Sequence, residues 1–342
     1  MLLALHVKNF FTPESRRGVR SHPVMQSRTC RQAALALLFL AGAQACRPAN
    51  PPITLLFVGD IMLGRRIEGA ARARGDWSFP FQRVAERLRD ADIAFANLEC
   101  IASTAGGPSV FKADPRALEG LRDAGIDVVS VANNHTMDVG PQALAEMLGR
   151  FQGLGITPTG VRYLPDPQKL ATVEANGLRI GFLAYSWSVG DFAPVDGLPS
   201  LARTRRDEMV ADITRARSQV DYLVVSLHMG TELARRSGDG QQQKARAAID
   251  AGADLVVGHH PHVPQEVERY GRGFIAYSLG DFVFDHPELS VDGALLEVTL
   301  DAGRPVRLAW IRTRINSELQ PETLDETVWS GESLRGPNAA LN

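Results

Sequence analysis

The stretch GADLVVGHHPHV, residues 252–263, joins a short apolar run to His259, His260 and His262. Leu255, Val256 and Val257 read as a buried strand, of the kind that parallel sheets cover on both faces. The chain has only 8 histidines, so three of them behind one strand need a reason. One reading is a solvated loop that is rich in imidazole by chance. The other is a metal site, because neutral imidazole is the commonest side-chain ligand for first-row divalent ions. The second reading makes a demand that the first does not: further ligands must stand at the ends of other strands.

Outward from this stretch, runs rich in Val, Ile and Leu alternate with amphipathic segments. ITLLFV (53–58), DIAFAN (92–97), DVVSVA (127–132), RIGFLAY (179–185), DYLVVSL (221–227), DLVV (254–257) and GFIAYSL (273–279) predict buried strands. Segments near 79–90, 114–124, 141–153, 205–218 and 239–251 have helical periodicity, several with Asp, Pro or Gly at their starts. The alternation predicts an α/β architecture with helices outside sheets. GALLEVTLDAGRPVRLAWIRTRI (293–315) predicts an antiparallel hairpin turning at DAGRP. The polar, Glu-rich tail from Asn316 is expected to be loosely structured, and the chain has no internal repeat.

The strands end in groups that bind metals. LLFVGD ends at Asp60, and AFANLE puts Asn97 and Glu99 on one face because side chains alternate along a strand. SVANNH ends at Asn133, Asn134 and His135; VVSLH ends at His228 and is followed by Glu232. Taken singly, each has a plain explanation: Gly-Asp is a common turn, a lone His is more often structural, and ANNH fits an Asx-turn. Taken together they do not, since five of the six histidines beyond residue 22 stand at strand ends. Ligands converging from the carboxyl ends of several strands are how an open α/β sheet builds a site. Carboxylate and amide oxygens with imidazole nitrogen suit Mn, Fe or Zn, in a number sufficient for two divalent ions.

At 342 residues, with 44% hydrophobic and 22% charged residues, the composition is that of a globular protein with one large core or two smaller ones. A formal net charge of -2 gives no basic footprint, which argues against nucleic acid as a partner. The N-terminus is different. RTCRQAALALLFLAGAQAC (28–46) has Arg28 and Arg31, an apolar run from Ala33 to Ala43 and an Ala43-Gln44-Ala45 ending, the layout of a secretory signal peptide. The run is too short for a permanent membrane anchor. A start at Met25 gives a signal of ordinary length, with cleavage before Cys46. Cys46 is then either a chance residue at the new terminus or the lipidated first residue of a lipoprotein, so that any membrane attachment is through this anchor alone. Both place the protein outside the cytoplasm, in the periplasm or cell envelope. Loss of Cys30 leaves Cys46 and Cys100, too few for a disulfide framework.

GDIMLGR, ANLE, FKADP, ANNHTMDVG, SLHMGTE, GADLVVGHHPHVPQ and AYSLGDFVFD follow one another in this order between residues 53 and 288. In these motifs the chain resembles the bacterial capsule synthesis protein CapA family, associated with poly-γ-glutamate production and similar to the calcineurin-like metallophosphoesterases. The resemblance implies a four-layer α/β/β/α sandwich. It divides the chain into an N-terminal extension with signal peptide (1–45), a Pro-rich linker (46–52), the sandwich domain (53–315) and the polar tail (316–342). Carried over by motif, it implies Asp60, Glu99, Asn134, His228, His260 and His262 as metal ligands, with His135 as the acid that protonates a leaving oxygen. His259 is implied as a ligand or as an orienting hydrogen-bond partner. Asn97, Asn133, Glu232 and Asp281 are supporting candidates, and Arg65 and Lys112 are candidates for holding anionic substrate, each weighed against a solvated surface charge. Three departures stand out: Met229 replaces the aromatic of the family's HWG, Asp281 replaces the amide of SLGNF, and Met62 stands where ordinary metallophosphoesterases carry the His of Asp-x-His.

The resemblance implies a dinuclear hydrolase acting on a phosphoester. The rival reading is a non-hydrolytic, envelope-attached accessory that binds an anionic polymer and works with membrane-bound capsule synthesis components; a vestigial cleft in a structural envelope protein is the third. Processing is expected to leave Cys46 as the first residue. N-terminal sequencing and mass measurement of the envelope-fraction protein check this: a lipid mass on the terminal peptide marks the lipoprotein, and a mature chain retaining residues 31–45 excludes cleavage.

Overall fold

The computed structural model describes residues 51–188, 192–285, 292–331 and 340–341. The signal peptide, Cys46 and the linker up to Asn50 lie outside the described residues. From Ile53 the chain runs through four parallel strands, β1 (Ile53–Ile61), β2 (Ile93–Leu98), β3 (Val128–Ser130) and β4 (Thr157–Thr159). Helices α1 (Arg65–Arg74), α2 (Ala85–Asp90), α3 (Ala117–Ala124) and α4 (Pro141–Leu154) make the crossovers. A second sheet follows: β5 (Ala171–Ala175), β6 (Leu178–Ser186), α5 (Arg206–Arg217), β7 (Tyr222–His228), α6 (Asp239–Ala251), β8 (Leu255–His259), β9 (Val267–Tyr270) and β10 (Gly273–Ala276). The chain then returns to the first sheet with β11 (Asp281–Val283), β12 (Asp292–Asp301), β13 (Arg304–Ile315) and β14 (Pro321–Ser330), and β15 (Ala340–Leu341) joins the second. The orders are β14-β13-β12-β1-β2-β3-β4, with β11 also on β1, and β15-β9-β10-β8-β7-β6-β5.

Alternation along the strands explains the layering. Leu55 and Phe57 of β1 point inward with Phe95, against Phe182, Tyr222, Val224 and Leu255 of the second sheet, and Phe95 stacks on Phe182 at 5.7 Å. The intervening Leu56 and Val58 point outward to Ile67, Leu88, Leu118 and Leu144 of the first four helices. On the far side, Leu183, Val225 and Val256 pack on Met209, Ile213, Ala248 and Ile249 of α5 and α6. Three apolar interiors separate four layers, α/β/β/α, the sandwich expected. Each large side chain buried in them stabilises the fold by about 1.5–3 kcal/mol.

The structure differs from the sequence reading in three places. The first part of the tail is not loose: β14 pairs antiparallel with β13, from Ile315 opposite Pro321 to Arg307 opposite Ser330. Its acidic residues are ion-pair partners across the ladder, Glu326 to Arg307 and Asp325 to Arg312, and opposite charges on facing strands support pairing. Helix α1 was not anticipated, because only Ile67 and Ala71 of RRIEGAARAR are buried. The segment 79–90 splits into a 3₁₀ turn at Phe79–Phe81, which contains Pro80, and α2. The 293–315 hairpin forms as β12 and β13.

The two sheets are joined by residues 277–281, which leave β10 and enter β11. On one side Leu279 N–H donates to the Gly258 carbonyl at 3.2 Å; on the other, Asp60 N–H donates to the Gly280 carbonyl at 2.9 Å. The approach is close enough to exclude side chains. A Cβ on Gly258 would lie 1.9 Å from the Tyr277 carbonyl oxygen, and one on Gly59 would lie 2.1 Å from that of Gly280. Gly258→Ala is therefore expected to lower stability by about 3 kcal/mol, the upper end for overpacking. Gly69→Ala, in the exposed middle of α1 with open space around it, is expected to raise stability by about 0.5–1 kcal/mol. Denaturant unfolding of both variants checks the pair.

Candidate metal centre

Parallel pairing sets Asp60 of β1 level with Asn97 of β2, and His228 of β7 level with His259 of β8. The crossing at 277–281 then brings the two carboxyl-terminal edges together. Asp60 is the shared member. Its Oδ1 accepts from Asn97 Nδ2 at 2.8 Å and lies 3.0 Å from His259 Nδ1, while Oδ2 accepts the His260 backbone N–H at 3.0 Å. Asn97 Nδ2 also donates to His228 Nδ1 at 3.2 Å, and His228 Nε2 donates to Asn134 Oδ1 at 2.7 Å. Glu99 Oε1 stands 3.6 Å from His228 Nε2 and 3.9 Å from His262 Nε2. His262 Nδ1 reaches Asp281 Oδ1 at 2.8 Å. Three overlapping ligand sets result: Glu99 with His228 and His260, Asp60 with His262 and Asp281, and Glu232 with His260 and His262.

These groups fit a cation. Both carboxylate oxygens of Glu99, Asn97 Oδ1, His259 Nε2 and His260 Nδ1 are buried without a hydrogen-bond partner, and such groups are costly to bury unless something pairs with them. Burial, then the charges of Asp60 and Asp281, raise the Glu99 pKa well above its ordinary value. Burial raises Asp281 to about 7, against the pull of His262. Burial also opposes ionisation of Asp60, but the His259 hydrogen bond and the field of the imidazoles outweigh it and hold that carboxylate low. Burial and the fields of His260, His259 and His262 depress His228, and burial with the fields of His262 and His135 depresses His260, so both are held neutral, the form in which an imidazole coordinates a metal. His262 is the exception. Burial lowers it, but Glu99 and Asp281 dominate and bring it to about 10. Backbone strain concentrates here too: His260 and His262 have φ of 96° and 57°, at a cost of about 1–3 kcal/mol each outside glycine.

The rim is built from the turn after β3. Asn133 makes the Asx-turn, with Oδ1 accepting from His135 N, Thr136 N and Thr136 Oγ1 at 3.1, 3.0 and 2.9 Å. Asn133 thus holds the turn that presents its two neighbours. Asn134 Nδ2 donates to His135 Nε2 at 3.0 Å, and His135 Nδ1 donates to Asp138 Oδ2 at 3.3 Å. The His135 ring stacks on Phe111, centroids 3.3 Å apart and planes 10° apart. Asp138 and Phe111, which orient this histidine, were not among the candidate residues, although they lie in the motifs ANNHTMDVG and FKADP, where their positions were the available signal. Glu232 is exposed at the edge of the cluster.

Both cations proposed for anion holding are otherwise engaged. Lys112 Nζ donates to the carbonyls of Ala105, Gly106 and Gly107 at 2.9, 3.2 and 3.3 Å and fastens that loop. Arg65 pairs with Asp285 at 2.5 Å, and its guanidinium lies 5.1 and 5.5 Å from the Phe111 and Phe284 rings. Those rings border His135 and His262. Met62 and Met229 are buried in the apolar interior. An aromatic neighbour for the histidines comes from elsewhere, as Trp187 at the end of β6 stands 5.7 Å from the His260 ring.

A four-layer sandwich with carboxylates, amides and imidazoles gathered where its two sheets meet is of the calcineurin-like metallophosphoesterase type. Residues 54–286 match the bacterial capsule synthesis protein family PGA_cap, and the chain belongs to that family. It is 35% identical over 238 residues to the PGA biosynthesis protein CapA of Bacillus subtilis strain 168, covering 67% of this chain and 62% of that protein. To the capsule biosynthesis protein CapA of Bacillus anthracis it is 28% identical over 314 residues, covering 82% of this chain and 76% of that one. Among solved structures it is similar to the Thermus thermophilus sulfate thiohydrolase SoxB in complex with glycerol, with a TM-score of 0.40 and 13% identity over 82% of this chain and 57% of that chain.

Glu99→Gln and His260→Ala are expected to abolish retention of Mn, Fe or Zn through dialysis, read by elemental analysis. Asn97→Ala removes the amide that ties Asp60 to His228 and is expected to weaken metal affinity roughly 10–100-fold. Retention at the wild-type level in both ligand variants would remove the metal assignment.

Proposed function

We propose that the protein is an exported, metal-dependent hydrolase of the phosphoesterase type that serves the synthesis or export of poly-γ-glutamate capsule. The observation that carries this is the buried Glu99 carboxylate. Neither of its oxygens has a hydrogen-bond partner, yet they face His228 and His262, with His135 Nε2 at 4.0 Å. The residues suited to hold two divalent ions are Asp60, Glu99, Asn134, His228, His260 and His262, with His259 and Asp281 beside them. Ions bound there would supply Lewis acidity toward an oxyanion and an activated water.

The chain's own contribution is the handling of a proton. Asp138 accepts the Nδ1 hydrogen of His135, Phe111 stacks on the ring, and Nε2 accepts from Asn134; to act as an acid the ring must first take up a proton at Nε2 in place of that bond, giving an imidazolium that Asp138 stabilises. A proton delivered from that nitrogen to the leaving oxygen is general acid catalysis by an oriented imidazole. Export rests on the signal-like residues 28–45, and attachment to the envelope rests on lipidation of Cys46. Membrane-bound capsule synthesis components are then the partners within reach.

One observation favours the non-hydrolytic accessory as a second reading. Met62 is fully buried, with its Sδ accepting the Gly64 N–H at 3.1 Å, so β1 offers Asp60 alone where a further imidazole would strengthen the cluster. Replacing His135 separates the readings. His135→Asn is expected to leave metal content unchanged and to lower turnover of alkyl phosphoesters by roughly 10²–10⁴-fold. The loss should shrink for nitrophenyl esters, whose leaving group departs without a proton. Equal losses on both would reject the acid role, and absence of metal-dependent turnover on phosphoester and γ-glutamyl substrates alike would favour the accessory.

A further inference from the structure

We propose that a pocket flanking the metal cluster, walled by Arg162, Arg203 and Arg205, binds a second acidic group of the substrate: a glutamyl carboxylate carried on its aliphatic stem. The proposal rests on the reading that the protein serves the synthesis or export of poly-γ-glutamate, and it deepens that reading by placing a subsite for the polymer.

Position comes from register. His259, His228 and Ser186 are level neighbours across β8, β7 and β6, and Arg203 pairs in parallel with Ser186. Strands lie about 4.8 Å apart, so the Arg203 backbone is about 10 Å from that of His228 along the same row. The pocket there has a volume of about 350 Å³. Met137, two residues beyond His135, lies in its wall, so the pocket and the proton-handling turn share a boundary.

Charge and shape name the ligand. Glu208 is the one carboxylate in the lining; it pairs with Arg162 at 2.5 Å and lies 3.5 Å from Arg205. Arg203 is exposed and has no hydrogen-bond or ion-pair partner among the described residues. The lining therefore carries a surplus of positive charge, in a chain whose formal net charge is -2. Guanidinium forks match carboxylate and phosphate alike. Apart from Ser200, the rest of the wall is apolar: Leu164, Phe192, Pro194, Leu201 and Met137. A bare phosphate would leave those side chains without contact, whereas the methylenes of a glutamyl residue cover them. With Lys112 and Arg65 already engaged inside the fold, Arg203 is a cation that stays free, among the described residues, to meet an anionic substrate. Acidic groups held both at the cluster and about 10 Å away also select a polymer over a single amino acid.

The test measures binding of a γ-linked glutamate pentamer and of pyrophosphate by titration calorimetry, to the metal-loaded mature protein for wild type, Arg203→Ala and Arg203→Glu, and to the metal-free mature protein for His260→Ala and His260→Ala with Arg203→Ala. Pentamer binding is expected to weaken about 10-fold in Arg203→Ala and further in Arg203→Glu. Pyrophosphate, small enough to sit at the cluster alone, is expected to bind these two variants as it binds wild type. In His260→Ala the pentamer should retain Arg203-dependent binding, which keeps the pocket distinct from the metal site. Unchanged pentamer affinity in both Arg203 variants, equal weakening of pentamer and pyrophosphate, or no pentamer binding by the wild type would each overturn the proposal. Arg203-dependent pentamer binding without turnover on any substrate would uphold the pocket while removing the hydrolase. Unchanged thermal midpoints in the Arg203 variants exclude misfolding as the cause.

Discussion

The passage of residues 277–281 from one sheet to the other is the constraint on which the cleft depends. Two sheets packed face to face need not bring their strand ends together, since the apolar layer between Phe95 and Phe182 fixes only their separation and approximate alignment. The crossing fixes the remainder. It bonds to Gly258 on one side and Asp60 on the other, and this works only because Gly59 and Gly258 offer no Cβ to the carbonyls of Gly280 and Tyr277. Asp60 and His260 are 200 residues apart in sequence, yet the carboxylate of one accepts the backbone hydrogen of the other.

Such a cleft opposes the forces that build the sandwich. Asp60, Glu99, Asp281, His228 and His259 are buried almost completely, and burying charge without full compensation costs several kcal/mol per ion. Three apolar interiors provide the stabilisation that offsets this. The cost is also reduced locally: His262 takes up positive charge between Glu99 and Asp281, while His228 and His260 stay neutral. The oxygens and nitrogens still without partners define where a cation would lower the energy most. The strained backbone at His260 and His262 belongs to the same balance, since a surrounding structure that holds positive φ in two histidines is one that dictates where their rings go.

Around this centre the fold distributes its arginines unequally. Arg65 is fixed by Asp285 and two aromatic rings and so serves the architecture of the wall. Arg307 and Arg312 tie the last strand of the first sheet to its neighbour. Arg203 has no such partner among the described residues, and it is bridged to the row of the second sheet that contains His228 and His259. In a protein of nearly balanced charge, the placement of a free guanidinium says more than the number of arginines.

Much of the sandwich was legible in the sequence because its signals are local. A buried strand shows as an apolar run, a covering helix as a periodicity, and a candidate strand-end ligand as a polar residue behind the run; VVGHHPH, SLH and ANLE each carry their message within a few residues. The helix Arg65–Arg74 and the strand Pro321–Ser330 were missed for the same reason. Few of their side chains are buried, so the apolar pattern that reveals an element was absent, and their support comes from ion pairs and packing partners distant in the chain. Residue roles that depend on a partner were likewise decided only by tertiary structure. Whether Lys112 and Arg65 are free or engaged, whether His135 has an orienting carboxylate in Asp138, and whether Asp281 meets His262 depend on distances between segments. A sequence determines which groups are available and on which faces they lie; their charge states and partners are set by burial and proximity, which exist only once the two sheets have been joined.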